Sequence, residues 1–232
     1  MTVTELAATL DSTNLRLDAS EADIATLCAE AATHRFACVM IYPASVPFAA
    51  RQLDRTGIRI GTVIGFPSGR FSTAAKHAEI EAARAAGAHE VDIVMNYPAL
   101  RQARAAEAGD EIAALTARAH ELGLLVKVIV ETCFLDATQR LAALRLCEAG
   151  RAEFIKTSTG FGSAGAKVEH IREWAAARRS RIGMKASGGI KTLADARALL
   201  DAGATRLGTS SAAAILDEFR GRGAAAPASG EY

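Results

Sequence analysis

Lysine is scarce in this chain. Of its 27 basic residues only six, Lys76, Lys127, Lys156, Lys167, Lys185 and Lys191, are lysine; the other 21 are arginine. Where arginine supplies nearly all the positive charge, each remaining lysine raises the question of what a guanidinium could not do there. The chain also lacks any excess of acidic or basic residues: the formal net charge is +1, with 23% charged and 50% hydrophobic residues. That balance excludes a disordered acidic or basic tail protein and gives no charge-based case for a nucleic-acid or membrane partner. No apolar run approaches the roughly 18 residues a transmembrane helix needs. The opening MTVTELAATLDSTNL lacks the basic segment and long apolar stretch of a signal peptide. The four cysteines, Cys28, Cys38, Cys133 and Cys147, form no CxxC and no metal-like spacing, so reduced thiols in a cytoplasmic protein are expected. Histidines are scattered without HxH or HExxH, and His34, His77, His120 and His170 fall in expected helices. Metal-dependent chemistry therefore has little support.

What is present is a rhythm of strand and helix. Apolar, β-branched runs stand at 8–13, 37–42, 58–65, 90–96, 124–131, 153–158, 182–187 and 204–208. Between them lie Ala-, Leu-, Glu- and Arg-rich stretches with helical spacing, such as the one placing Ile24, Leu27, Cys28 and Ala31 on one face. Ser20, Ser72, Asp136 and Thr192 sit where N-caps belong; Gly57, Gly87, Gly123, Gly150 and Gly203 sit where glycines end helices. Eight strands in 232 residues, 29 residues apiece, is a βα repeat length. The pattern predicts an α/β protein, a single (β/α)8 TIM barrel over residues 1–221, followed by a flexible tail over 222–232. The rival, an open doubly wound sheet, would carry a glycine-rich phosphate turn after its first strand, but here that strand runs into Asp11-Ser12-Thr13-Asn14.

Strands buried on both faces should read as unbroken aliphatic runs. Four of these strands carry ionisable groups instead: Asp92 in EVDIVMN, Lys127 in LLVKVIVE, Lys156 in EFIKTS and Lys185 in IGMKAS. Asp11 ends the first strand. Charges facing the helices would lie away from water, so the barrel interior near its mouth is the cheaper location. A buried ion-pair network that only satisfies itself is one reading. The other follows from three amines outnumbering two carboxylates. Crowded cations lower one another's pKa, and a neutral lysine is a nucleophile that forms Schiff bases with carbonyl compounds. A second signal is anion binding. Thr157-Ser158-Thr159-Gly160, Ser187-Gly188-Gly189 and Gly208-Thr209-Ser210-Ser211 follow the last three strands, where barrels build phosphate sites from backbone N–H groups and a helix N-terminus.

Taken in order, LDSTNL, IGTVIGFPSG, EVDIVMN, LLVKVIVET, FIKTSTGF, MKASGGIKT and RLGTSS resemble the deoxyribose-phosphate aldolase family of Schiff-base (class I) aldolases. The resemblance covers almost the whole chain. It implies reversible cleavage of 2-deoxy-D-ribose 5-phosphate to acetaldehyde and D-glyceraldehyde 3-phosphate, with no metal or organic cofactor and a cytoplasmic homo-oligomer, a dimer being expected. By the same resemblance Lys156 forms the Schiff base, Lys185 keeps its amine partly neutral, and Asp92 acts with Lys185 in proton transfers. Asp11, Thr13 and Lys127 support the polar network or substrate hydroxyls. Gly160, Gly188, Gly189, Gly208, Ser210 and Ser211 hold the phosphate, and Tyr232 helps move the enamine proton. Two departures stand out. Met40 occupies a position where many members carry cysteine, with Cys38 one pleat deeper, and Lys167 stands where threonine is common. Lys167, Lys76 and Lys191 are expected to be surface charges. Another Schiff-base aldolase or transaldolase, or a non-catalytic sugar-phosphate-binding barrel, would share much of this pattern.

Overall fold

In the computed structural model, which describes residues 1–221, eight parallel strands form a closed barrel in simple sequential order. They are β1 (Leu10–Asn14), β2 (Cys38–Ile41), β3 (Arg59–Ile64), β4 (Glu90–Val94), β5 (Leu125–Ile129), β6 (Phe154–Lys156), β7 (Gly183–Ser187) and β8 (Arg206–Thr209). Each falls within or beside the run that predicted it. The helices are α1 (Val3–Ala7), α2 (Glu21–His34), α3 (Val46–Gln52), α4 (Thr73–Ala86), α5 (Tyr97–Arg101), α6 (Ala105–Glu121), α7 (Ala137–Ala149), α8 (Val168–Ala177), α9 (Leu193–Asp201) and α10 (Ala212–Phe219). The short α1 and α5 are additions to the one-helix-per-strand pattern. Residues 222–232, with Tyr232, lie outside the described residues.

Local chemistry explains the boundaries. Ser20, Ser72, Asp136 and Thr192 each accept a backbone N–H of their helix's first turn, satisfying donors that the helix itself leaves orphaned. Gly87 ends α4 in the left-handed conformation (φ 105°). Gly150 does not follow the expectation: its φ is −74°, and Arg151 takes the left-handed position at φ 61°. Gly150 is needed for closeness instead, because a Cβ there would stand 2.6 Å from Ile112 Cγ2 on α6.

The main core lies between strands and helices. A second apolar group, Leu15, Cys38, Met40 and Val63, fills the β2–β3 side of the barrel interior. Met40 fits because β3 has a glycine opposite; a Cβ on Gly61 would come within 2.4 Å of Met40 Cε. The expectation that Lys76 is a surface charge is wrong: Lys76 is fully buried. It shares the inward face of α4 with Ile80 and Ala83, and its stem crosses Gly65, whose Cβ would lie 2.7 Å from Lys76 Cε. The ammonium donates to Val94 O at 2.8 Å and to both oxygens of Glu111 at 2.9 Å. Glu111 also accepts Asn96 N–H at 2.9 Å, so this ion pair ties α4 and α6 to the C-terminal end of β4.

Candidate active site

Strand register converts the isolated charges of the sequence into one cluster. Asp92 is paired in register with Lys127, and Lys156 with Lys185. All four side chains point into the barrel with Asp11, which stands next to Cys38 of the apolar group. Asp92 is the hub: Oδ2 accepts Lys156 Nζ at 2.7 Å and Lys185 Nζ at 2.8 Å, and Oδ1 accepts Lys127 Nζ at 2.9 Å. Lys185 also donates to Asp11 Oδ2 at 2.5 Å. Asp11 Oδ1 accepts Arg206 Nη1 at 2.6 Å. Deeper in the barrel, Glu90 lies 2.6 Å from Lys127 Nζ. Gly208 gives the cluster its room, since a Cβ there would stand 3.1 Å from Lys185 Cε.

These contacts set the protonation states. Burial pushes the Lys156 amine down to about 8; the Asp92 carboxylate opposes that, while the ammoniums of Lys185 and Lys127 add to it. Desolvation is therefore the largest influence, with the expected like-charge repulsion from Lys185 as a contributor. Lys127 behaves oppositely: burial would lower it, but Asp92, Asp11 and Glu90 together hold it above the usual lysine range. Burial would raise Asp92 and Asp11, yet the surrounding cations keep both below the usual carboxylate range. Lys156, unlike Lys127, is therefore shifted toward the neutral amine.

Lys156 is also the only member of the cluster that lines the cavity at the C-terminal ends of the strands, a space of about 280 Å³. Its remaining walls include Thr13, Leu15, Thr159, Gly160, Ser187, Gly188, Gly189, Gly208 and Ser210. Hydroxyls tie the loops together. Ser187 Oγ donates to Ser158 O at 2.6 Å, and Thr209 Oγ1 donates to Ile190 O at 2.6 Å while accepting Ser211 N–H at 2.9 Å. Gly160, Gly188 and Gly189 all have positive φ, which lets the loops turn back and leaves a concave wall of small residues ahead of α10. Of the predicted residues, Ser211 is held at the start of α10 rather than in the wall. Lys191, expected as a surface charge, is exposed but also lines the cavity, and Lys167 is exposed as expected. Cys38 is buried beside Asp11 and Glu90, and burial raises its thiol well above the usual range. The ligand atoms of that trio lie within 4.8 Å of one another, but its carboxylates are already engaged by Lys127, Lys185 and Arg206.

Three residues of the site escaped the sequence reading. Glu90 shares its strand and parity with Asp92, two residues away, and that spacing was the available signal. Arg206 sits in the ATRLG run, where its guanidinium bonds Asp11. Glu131 ends the VIVE run, fully buried, and accepts the Thr159 N–H at 3.2 Å.

A sequence profile described as the DeoC/LacD family of aldolases matches residues 7–221. The chain is 42% identical over 216 residues to a deoxyribose-phosphate aldolase of Desulfitobacterium hafniense, covering 93% of this chain and 99% of that one. It is 39% identical to the deoxyribose-phosphate aldolase of Deinococcus radiodurans, covering 88% and 92% of the two chains. Among solved structures, a tetrameric deoxyribose phosphate aldolase from Aeropyrum pernix superposes with a TM-score of 0.88 at 30% identity, covering 94% of this chain and 92% of that one.

Proposed function

The chain belongs to the DeoC/LacD family of aldolases, and from that premise we propose that it is a class I aldolase cleaving 2-deoxy-D-ribose 5-phosphate reversibly to acetaldehyde and D-glyceraldehyde 3-phosphate. One observation carries the reading: Lys156, with its pKa near 8, is the single amine of a buried cluster that reaches the cavity.

The Lys156 nitrogen attacks C1 of the open-chain sugar, and the resulting carbinolamine loses water to leave a protonated imine. That imine is the electron sink. A base takes the proton of the C3 hydroxyl, C3 becomes a carbonyl, and the C2–C3 bond breaks. Its electron pair becomes the C1–C2 double bond of an enamine, and glyceraldehyde 3-phosphate leaves. Protonation of the enamine at C2 and hydrolysis of the imine release acetaldehyde and the free amine. Asp92, hydrogen-bonded to both Lys156 and Lys185, shuttles these protons with Lys185 through a water. Asp11 and Lys127 hold the cluster, and Thr13 lies on the cavity wall for a substrate hydroxyl. Gly160, Gly188, Gly189, Gly208 and Ser210, with Ser211 opening α10, receive the phosphate through backbone N–H groups and the helix dipole. Tyr232, outside the described residues, delivers the enamine proton.

Acetaldehyde with borohydride, followed by peptide mass spectrometry, tests the covalent step. The adduct belongs on Lys156; an adduct elsewhere sinks that assignment, and none at all favours a binding protein. Lys156→Arg keeps charge and approximate length but cannot form an imine, so turnover should vanish with the fold intact. Cleavage of the deoxyribose phosphate but not of fructose phosphates separates this aldolase from other Schiff-base aldolases. We further propose a cytoplasmic homo-oligomer, with a dimer as the expected state, which sedimentation velocity decides. No helix among the described residues is long and apolar enough to cross a membrane.

A further inference from the structure

Glu131 stands apart from the ion-pair cluster. It follows β5 in the left-handed conformation (φ 52°, ψ 68°), which a residue with a Cβ adopts at a cost. It is 1% exposed, and it does not line the cavity. Its carboxylate points instead beneath the loop that follows Lys156. The Thr159 N–H approaches Oε2 at 3.2 Å, and the Thr159 hydroxyl donates to the same oxygen. That hydroxyl in turn accepts the Phe161 N–H at 3.0 Å. The loop rests directly on the carboxylate, since a Cβ on Gly162 would lie 3.1 Å from Glu131 Cδ.

The other end of this loop is fixed without side chains. Ala166 N–H donates to Gly188 O at 3.1 Å, and Gly165 packs so closely that a Cβ there would stand 2.2 Å from the same oxygen. Between the two anchor points lies Gly160 (φ 92°), part of the cavity wall. One anchor is backbone against backbone, and the other is the Glu131 side chain.

We propose that Glu131 is a positioning residue. It sets the height of the Thr159–Gly162 loop and thereby the affinity for the anionic end of the substrate, while taking no part in imine chemistry. The inference rests on reading this cavity as a phosphosugar site.

Two measurements on Glu131→Ala test it. KM for 2-deoxy-D-ribose 5-phosphate should rise roughly tenfold or more, because two buried donors lose their acceptor, with a much smaller fall in kcat. The inhibition constant of inorganic phosphate should rise in parallel. Borohydride trapping of acetaldehyde on Lys156, which involves no phosphate, should proceed at the wild-type rate. Glu131→Gln keeps an oxygen acceptor and should return KM most of the way. An unchanged KM in the alanine variant overturns the proposal, as does a trapping rate that falls with it, or a glutamine variant as impaired as alanine. Should the alanine variant not fold, Thr159→Val removes the hydroxyl donor from the other side and should raise KM in the same direction; an unchanged KM there also overturns it. Absence of the acetaldehyde adduct in the wild type would instead overturn the aldolase reading itself.

Discussion

Replacing Lys185 with methionine isolates what one neighbouring ammonium does to the reactive amine. Lys156 Nζ and Lys185 Nζ lie 2.7 and 2.8 Å from the same Asp92 oxygen, so they are at most 5.5 Å apart. Two unit charges about 5 Å apart repel by roughly 3 kcal/mol at an effective dielectric near 20, equivalent to about two pK units. Part of that is offset because burial, the larger cause of the depression, remains in the variant. A rise of roughly one to two units above the present value of about 8 is the expected net effect. The sign is unambiguous: removing a cation favours the protonated amine, and Asp92, with one cation fewer, favours it further. At about pH 7.5 the neutral fraction of Lys156 would fall roughly ten- to eighty-fold. The assay is the rate of borohydride trapping of acetaldehyde across pH. In the wild type the rate should climb as pH rises through about 8 and then level off. In Lys185→Met the rise should be displaced to higher pH, with the plateau partly recovered there. Near-ultraviolet circular dichroism checks that the barrel is intact; Asp11 keeps Arg206, and Asp92 keeps Lys127 and Lys156. A variant whose trapping profile still rises near pH 8 would refute the role of Lys185 in tuning the amine and leave desolvation, with the Lys127 ammonium, as the cause.

Gly208→Ala should lower kcat/KM by roughly ten- to a hundredfold with little change in melting temperature, because its Cβ would press on Lys185 Cε from 3.1 Å; wild-type kinetics would show that Lys185 has slack. Lys76→Met leaves Glu111 buried without its cation and should cost about 3–5 kcal/mol in urea unfolding, with Lys76→Met/Glu111→Gln recovering part of the loss. An unchanged unfolding midpoint would contradict the buried pair. Tyr232→Phe should slow deuterium exchange into the acetaldehyde methyl group without affecting borohydride trapping, and exchange at the wild-type rate would remove Tyr232 from the proton path.

The barrel was legible because a parallel strand buried on both faces leaves a run that is hard to mistake. All eight such runs became strands, and four cap residues became caps. What sequence periodicity could not resolve was the reason for a residue at its position. Gly150 looked like a conformational glycine, yet it serves the approach of α6 to α7, a tertiary distance that no local pattern encodes. Lys76 looked like a solvated charge near a helix start. Its phase with Ile80 and Ala83 was visible, but its counter-charge, Glu111, lies 35 residues away. In the site, Asp92, Lys127, Lys156 and Lys185 were found because a charge inside an aliphatic run is conspicuous. Glu90, Arg206 and Glu131 were missed because they stand at the ends of such runs, where polar residues are ordinary. Strand stagger, which the sequence does not display, decides whether an end residue turns into the barrel.

The ion-pair contacts bear on whether this cluster is a self-satisfied structural network. Three carboxylates, Asp11, Glu90 and Asp92, are in ion-pair contact with four largely buried cations, Lys127, Lys156, Lys185 and Arg206, while the half-exposed Arg59 reaches Glu90 from the solvent side. A network built only for stability would be expected to match its charges, because an uncompensated buried cation is costly. Here the match is reached when one of the four is neutral. Arg206 cannot give up its proton, and Lys127 is held protonated by the carboxylates around it. Among the described residues Lys156 has Asp92 as its one ion-pair partner, shared with two other lysines, and it is the amine whose pKa falls to about 8. Lys156 thus gives up its proton more readily than an ordinary lysine, and the neutral amine it leaves is the state that adds to a carbonyl. In the reaction proposed above, imine formation would return a positive charge to that nitrogen, next to Asp92 Oδ2, which would then stabilise the electron sink more than the free amine.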